Sequence, residues 1–429
     1  MAKGRGSMRG VVAGVGVLAC ACGLGVAGPP EVAASWTQWG GPDRNFTVAS
    51  RGLLSAWPEA GPARLWSREF GAGYSAVLYE NGRLYTMARE GEDEVVVALD
   101  ADSGKTVWEY RYPAPHHENQ TAQFGGGPNA APLIVGEFLY AVGFTSKLHC
   151  LKKQDGTLVW SHDLVTEFGG AMPQFGYSAS PIAYESMVVV LVGGEKHGAV
   201  GFDQADGSKR WQAVPVDISY ASPLIIDVDG QDQLVFMTPT EVVGIDLRAG
   251  KIEWRHPHEN QYKNNCAGPW WGDDNLLFVS SQGDAGGRTL KLTRREERTT
   301  VEEIARDRKM KVFHNSGVRL GDTFYAGSHE FVAAHNVRTG ETTWKERGFS
   351  EANVLVADGK MILLDENGQL ALATVSSKEF TVLAQVQLLE KPTWTAPTLV
   401  GTRLYVRGQD KLMALELGAA PTPSRPPSP

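Results

Sequence analysis

Cysteine is scarce in this chain. Of 429 residues only four are cysteine, and two of these, Cys20 and Cys22, lie within the first 34. The other two, Cys150 and Cys266, are far apart, so no disulfide framework is available to hold the fold. An excess of positive charge is also missing. The formal net charge is −8, which argues against nucleic acid or an anionic lipid surface as the main partner. No G-x-S-x-G elbow, Walker loop or H-E-x-x-H pair occurs, so no nucleophile–base pair can be named. "GAGYSA" (71–76) echoes a dinucleotide loop, but no βαβ unit surrounds it.

Glycine and tryptophan are abundant, at 49 and 12 residues, and they are ordered. A glycine is followed four residues later by tryptophan at Gly104–Trp108, Gly156–Trp160, Gly207–Trp211, Gly250–Trp254 and Gly340–Trp344. The Trp-to-Trp intervals are 52, 51, 43 and 90, the last about two periods of ~45. A period of this length with several short strands per unit marks a propeller. Each unit opens on a small residue, often before proline, as in Ala131-Pro132, Ser180-Pro181 and Ser222-Pro223. Proline is tolerated there because a strand's first N–H need not enter a ladder. Apolar strands separated by Gly or Asp turns follow, as in "LIVGEFLYAVG" (133–143).

Eight openings can be counted: Ser75, Ala131, Ser180, Ser222, Gly268, Ser316, Ala352 and Ala396. Unit five lacks the tryptophan, with Ile304 near the missing position, and unit seven lacks it too. Unit eight stops after "LMALEL" (412–417), and its missing strand is supplied from the other end of the chain by "ARLWSREF" (63–70). The expected fold is therefore all-β: an eight-bladed β-propeller of four-stranded antiparallel blades, closed by the N-terminal strand. Trp66, Trp108, Trp160, Trp211, Trp254 and Trp344 are assigned to docking between neighbouring blades.

Three segments are expected. Residues 1–34 read as an export signal, with Lys3, Arg5 and Arg9 before an apolar stretch and Val32-Ala33-Ala34 as the cleavage site. Lipidation at Cys20, after "VLA", is the second option. Residues 35–417 make one propeller, and the proline-rich 418–429 a disordered tail. Removing 1–34 takes away three basic residues and Glu31, moving the formal charge from −8 to −10. A periplasmic or secreted location follows, or an outer-membrane lipoprotein if Cys20 is acylated. The chain is expected to be a monomer.

"ALDADSGKTVW" (98–108), "FDQADGSKRW" (202–211) and "IDLRAGKIEW" (245–254) resemble the tryptophan-docking repeat of the pyrroloquinoline-quinone (PQQ) propellers. "WTQWGGPDRN" (36–45) and "GYSAVLYENGRLYTM" (73–87) are similar to exported bacterial PQQ-like repeat proteins. The resemblance covers nearly all of the chain after the signal. It implies one of two branches. The quinoprotein alcohol dehydrogenases hold PQQ and calcium at the propeller axis. The outer-membrane β-barrel assembly lipoprotein is a non-catalytic scaffold that binds protein. The first branch carries adjacent cysteines over the quinone, and this chain has neither those nor a C-x-x-C-H haem site.

The linkers between successive units converge on one rim of a propeller, and here they are polar and aromatic: Gln123, Phe124 and Asn129; Gln174, Phe175 and Tyr177; Tyr220; Asn264 and Asn265; Trp270 and Trp271; His314 and Asn315; Glu351 and Asn353; Trp394. Rings with a few polar groups suit a ligand funnel. Phe124, Tyr177, Tyr220, Trp270, Trp271 and Trp394 are the candidate partner contacts. Asn264, Asn265, Trp270, Glu351, Asn353 and Trp394 are the funnel residues that a PQQ–calcium cofactor would use. His116-His117-Glu118 and His256-Pro257-His258-Glu259 read as solvated loops, "DVDGQDQ" (227–233) as a hairpin turn, and the charge run around "RREER" (294–298) as a solvated strand. The expectation is an exported, non-enzymatic scaffold for a protein or peptide partner in the cell envelope, with no catalytic residue, no metal and no cofactor. The alternatives are a PQQ-dependent alcohol or polyol dehydrogenase with an atypical site, and a carbohydrate or small-ligand module.

Overall fold

Short apolar strands between tight turns pair into eight antiparallel sheets, and these sheets are the blades of one ring. The computed structural model describes residues 35–272 and 274–419. The signal segment and most of the proline-rich tail lie outside the described residues. No α-helix occurs among the described residues. The blades span 78–113, 133–163, 182–212, 224–257, 270–307, 317–347, 353–387 and 398–416. Blade 8 supplies only three strands of its own; its outer strand is Ala63–Glu69, with Trp66 opposite Ala414. The N-terminal strand thus closes the ring, as the repeats predict, and gives blade 8 its fourth strand.

One feature of the outer strands explains the tryptophan period. Every outer strand carries a one-residue bulge immediately before one fixed position. A bulge sharpens the local twist and re-aims the next side chain. Tryptophan holds that position in six blades. In blade 5 it is Ala305, paired with Thr289, and Ile304 is the bulged residue beside it. In blade 7 it is Ala384, paired with Leu372. The bulged Leu65, Val107, Val159 and Ile304 stand off the ladder and are exposed.

The re-aimed indoles reach the next blade. Trp66 Nε1 donates to the Ala101 carbonyl at 2.9 Å, Trp108 to Lys153 at 3.1 Å, Trp160 to Gln204 at 3.3 Å and Trp344 to Ser376 at 2.8 Å. Gly104 lies against Trp66 with φ +67°, and a Cβ there would come within 2.7 Å of the ring. That contact is why the turn glycine and the tryptophan share a period. Trp211 is buried with its Nε1 unpartnered. Trp254 faces a different neighbour, because blade 5 has ten-residue outer strands joined at Glu296 and Glu297. Its indole donates instead to Gln233 Oε1 (2.7 Å), and Gln233 donates to Thr299 Oγ1 in blade 5 (2.8 Å). Blade 7 needs no tryptophan for this purpose: blade 8 takes its outer strand from elsewhere and has no turn there to receive one.

The channel wall is linked by the small polar residues that open the inner strands. Ser180 Oγ accepts from Ala131 N, Ser222 Oγ from Ser180 N, both at 3.0 Å, and Asn353 Oδ1 from Ser316 N at 2.9 Å. Each bond joins one blade to the next. Backbone N–H groups in a buried wall must be paired, and a short side chain on the adjacent blade does this without occupying the channel.

Candidate functional site

Inner strands begin at the linkers, so the eight linkers surround one mouth of the channel. Their rings meet in a seam across it. Trp394 lies 5.0 Å from Tyr74, 4.6 Å from His314 and 5.7 Å from Phe124, centroid to centroid. Phe124 continues to Phe175 (5.4 Å) and Phe175 to Tyr220 (5.9 Å). Offset and tilted pairs at these distances attract beyond simple burial. Trp394 is oriented by its own N–H, which donates to Glu366 Oε2 at 3.4 Å; Glu366 also accepts from Ser350 and Lys391.

The other end of the channel is closed by residues 35–48. Ser35 and Trp36 pair with Glu80 and Tyr79 at the far end of the blade 1 inner strand. Ile134 N of blade 2 donates to the Thr37 carbonyl at 2.8 Å. Thr47 and Val48 run parallel to Val356 and Ala357 of blade 7. Between these anchors Arg44 donates from Nη1 to the Pro181 carbonyl (3.1 Å) and Gln38 Oε1 (3.4 Å), and from Nη2 to the Pro223 carbonyl (3.0 Å), at the inner strands of blades 3 and 4. Trp36 is 1% exposed. This floor is absent from the sequence expectations, because two-residue strands leave no alternating pattern to read; its one signal was three aromatic residues, Trp36, Trp39 and Phe46, in a segment otherwise rich in turn formers.

Between floor and seam is a chamber of about 380 Å³. Trp39, Arg44 and Phe46 line it from the floor. Phe124, Asn129, Phe175, Tyr220, Asn264, Trp270, His314, Asn315 and Trp394 line it from the linkers. Most of the sequence-predicted rim thus converges on one cavity, and Tyr74, Tyr262 and Cys266 join it. Burial lowers the His314 imidazole to about 4 and raises the Cys266 thiol to about 12, so both are neutral at pH 7. Cys150 and Cys266 are unbridged.

Several predicted residues have other duties. Tyr177 is 1% exposed and donates to the Leu191 carbonyl (2.9 Å), so its ring belongs to the core and cannot touch a partner. Trp270 is mostly buried, packs at a tilt against Phe324 (4.5 Å) and donates to the Gly317 carbonyl (2.9 Å). Trp271 packs against the blade 4–5 core. Gln123 and Gln174 are exposed. The "DVDGQDQ" segment is the hairpin between Leu224–Val228 and Gln231–Met237, and "RREER" caps the blade 5 hairpin. His116, His117 and Glu118 lie on an exposed linker, but His258 is fully buried on Ser281 (3.0 Å), and burial lowers it to about 3.

The residues that calcium would need do not assemble. Asn265 Nδ2 donates to the Thr238 (2.7 Å) and His258 (3.1 Å) carbonyls, and its Oδ1 accepts from Ser281 (2.5 Å) and Asn260 (3.1 Å). Asn353 is committed to Ser316 N and to the Trp394 carbonyl (3.3 Å). Glu351 accepts from His329 N (3.2 Å), and burial, helped by Glu366, raises it to about 7. Among the described residues no group of three His, Cys, Asp or Glu is placed to hold a metal. Nor does the chamber match PQQ, a tricarboxylate, since among the described residues Arg44 is the one Lys or Arg lining it.

Comparison with known proteins finds relatives of the same fold. The family described as outer membrane protein assembly factor BamB matches residues 32–123 and 92–310, more than half of the chain. A protein of that name from Moranella endobia (strain PCIT) is 24% identical over 350 residues, 79% of this chain and 75% of its own length. The crystal structure of BamB from Moraxella catarrhalis superposes with a TM-score of 0.58 at 15% identity, covering 85% of this chain and 100% of that one. The quinohemoprotein alcohol dehydrogenase from Comamonas testosteroni superposes at 0.62 with 12% identity, covering 91% and 82%. At such identities the two structures speak for the fold alone. The repeats, the eight blades and the match over residues 32–310 lead to one conclusion: the chain belongs to the BamB family of PQQ-like propellers.

Proposed function

We propose that this chain is an exported, non-enzymatic scaffold that binds a protein partner at the linker face of the ring. The family match carries the reading, because its relatives are named as factors in outer membrane protein assembly. The partner is then a component or a client of that assembly in the cell envelope, reached after export directed by residues 1–34, with cleavage before Ser35 or acylation at Cys20. Loops on a rigid ring suit such contacts. Two rings at this face are exposed, Phe124 at 45% and Tyr262 at 57%; Phe124 stays among the contact candidates and Tyr262 takes the place of the buried Tyr177. Trp394 and Tyr220 stand behind them. The scaffold acts as a monomer, without nucleic acid.

Site-specific photocross-linking in cells tests this. Probes at Phe124 and Tyr262 should give one shared adduct, identified by mass spectrometry as an outer-membrane protein or part of its assembly machinery. A probe at Ile304, exposed on the outer strand of blade 5, should not give it. Equal adducts from all three positions, or none from the rim, would remove the linker face as the docking surface. Dehydrogenase turnover with added PQQ and calcium would replace the scaffold reading altogether.

A further inference from the structure

The chamber contains a cation with no counter-ion. Arg44 lines it, and no Asp or Glu lies within ion-pair distance of Arg44 among the described residues. A guanidinium has five N–H donors. Three are used, on two carbonyls and on Gln38 at a long 3.4 Å. The Nε–H and one Nη2–H have no acceptor among the described residues.

Arg407 shows what a purely structural buried arginine looks like in this fold. It is 1% exposed, and it donates to the Ser75, Met87 and Gly71 carbonyls and to Thr86 Oγ1, with its guanidinium over Phe70. It does not line the chamber. Arg44 has fewer acceptors and faces open space. The free N–H groups of a guanidinium form charge-assisted hydrogen bonds with a carboxylate.

The rest of the wall limits the ligand further. Asn315 is 2% exposed; both its Nδ2 hydrogens are spent on the Gly327 and Ala352 carbonyls, but its Oδ1 has no partner. His314 Nδ1 and the Tyr74 hydroxyl are also buried and unpartnered. These atoms have almost no accessible surface, toward the chamber or toward solvent, so they offer a ligand no polar contact. The remaining surface is mainly aromatic. A single cation can compensate a single carboxylate; further carboxylates would be desolvated without a partner.

We infer that the chamber is a binding site for a small planar aromatic monocarboxylate, its carboxylate on Arg44 and its rings among the aromatic side chains of the wall. Such a ligand has one or two rings, a size that cavities of a few hundred Å³ hold. The site lies below the proposed partner surface and shares Phe124 and Tyr262 with it, so occupancy would fix the rings that form the linker face.

Isothermal titration of the full chain with indole-3-acetate tests the inference, with neutral indole-3-acetamide as the comparison. The acid should bind saturably, and the amide at least about tenfold more weakly, because a charge-assisted pair is lost. Arg44→Met should abolish the difference between the two. Equal binding of acid and amide to the unaltered chain, or no saturation by the acid at several millimolar, would overturn the inference even if the Met variant fails to fold. Tighter binding of PQQ than of the monocarboxylate would overturn the single-charge argument.

Discussion

The two ends of the channel are closed in different ways. The floor is backbone: residues 35–48 join the inner strands of blades 1, 2 and 7 by main-chain bonds. The mouth is side chain: rings from six different linkers meet at tilted angles, and no ladder crosses them. A ladder must break several bonds together before it opens, whereas packed rings on linkers rearrange one rotamer at a time. The floor therefore belongs to the stability of the ring, and the mouth is the end that can respond to a partner or ligand.

The comparison is tested hardest at Trp36. It is almost fully buried in the largest core cluster, between the floor and the blade 1 inner strand. Trp36→Ala should cost ~3–5 kcal/mol by denaturant titration, as expected for deletion of a buried indole. An unchanged midpoint would mean that the floor is not held by its core packing.

A smaller effect, with a pH signature, is expected on the mouth side. Glu351 sits on the linker between blades 6 and 7. Burial and the neighbouring Glu366 raise it from 4.5 to about 7, opposed by the hydrogen bond from His329 N. Between these two values the folded state holds a proton that the unfolded chain has lost. Stability should therefore fall as pH rises from about 4.5 to about 7 and then level off. Glu351→Gln should flatten this slope and stabilise the chain by ~2–3 kcal/mol above pH 7. A slope that persists in the variant would assign it to another group.

Removing the centre of the seam should cost less in stability and more in closure. Trp394→Ala deletes the ring that contacts Tyr74, His314 and Phe124. Cys266 lines the chamber beneath and Cys150 is buried inside blade 2. The variant should react several-fold faster with a neutral maleimide at Cys266 and at an unchanged rate at Cys150. Faster reaction at both would mean general loosening of the ring. No change at either would mean that the seam does not gate the chamber.

The blades were legible because their signals are local and repeated. Gly-x-x-x-Trp registers a turn against the preceding blade's indole, and Trp66 was recognisable as the displaced eighth copy. Where the repeat decays the reading slipped by one residue, from Ala305 to Ile304, because the bulge that sets the position leaves no residue signature. The linkers were legible as a group but not one by one. Gly176-Tyr177 reads like its neighbours, yet the Tyr177 hydroxyl turns inward to a core carbonyl. Arg44 was missed entirely. A lone arginine in a turn-rich segment looks solvated, and only the path of the chain across the channel turns it into the chamber.

The weakest expected effect completes the contrast. Phe124 lies between Trp394 and Phe175 in the seam but is 45% exposed, so Phe124→Ser removes little buried surface. Its cost should stay within ~0.5 kcal/mol, the usual range for surface positions. Partner contact is a different matter, since exposed aromatic residues on rigid loops are where binding energy concentrates. The variant should keep its denaturation midpoint and its Cys266 labelling rate while the rim adduct at Tyr262 declines. If stability falls as far as in Trp36→Ala, the mouth is as integral to the ring as the floor, and the division between the two ends fails. If neither stability nor the adduct changes, the docking surface lies elsewhere on the linker face.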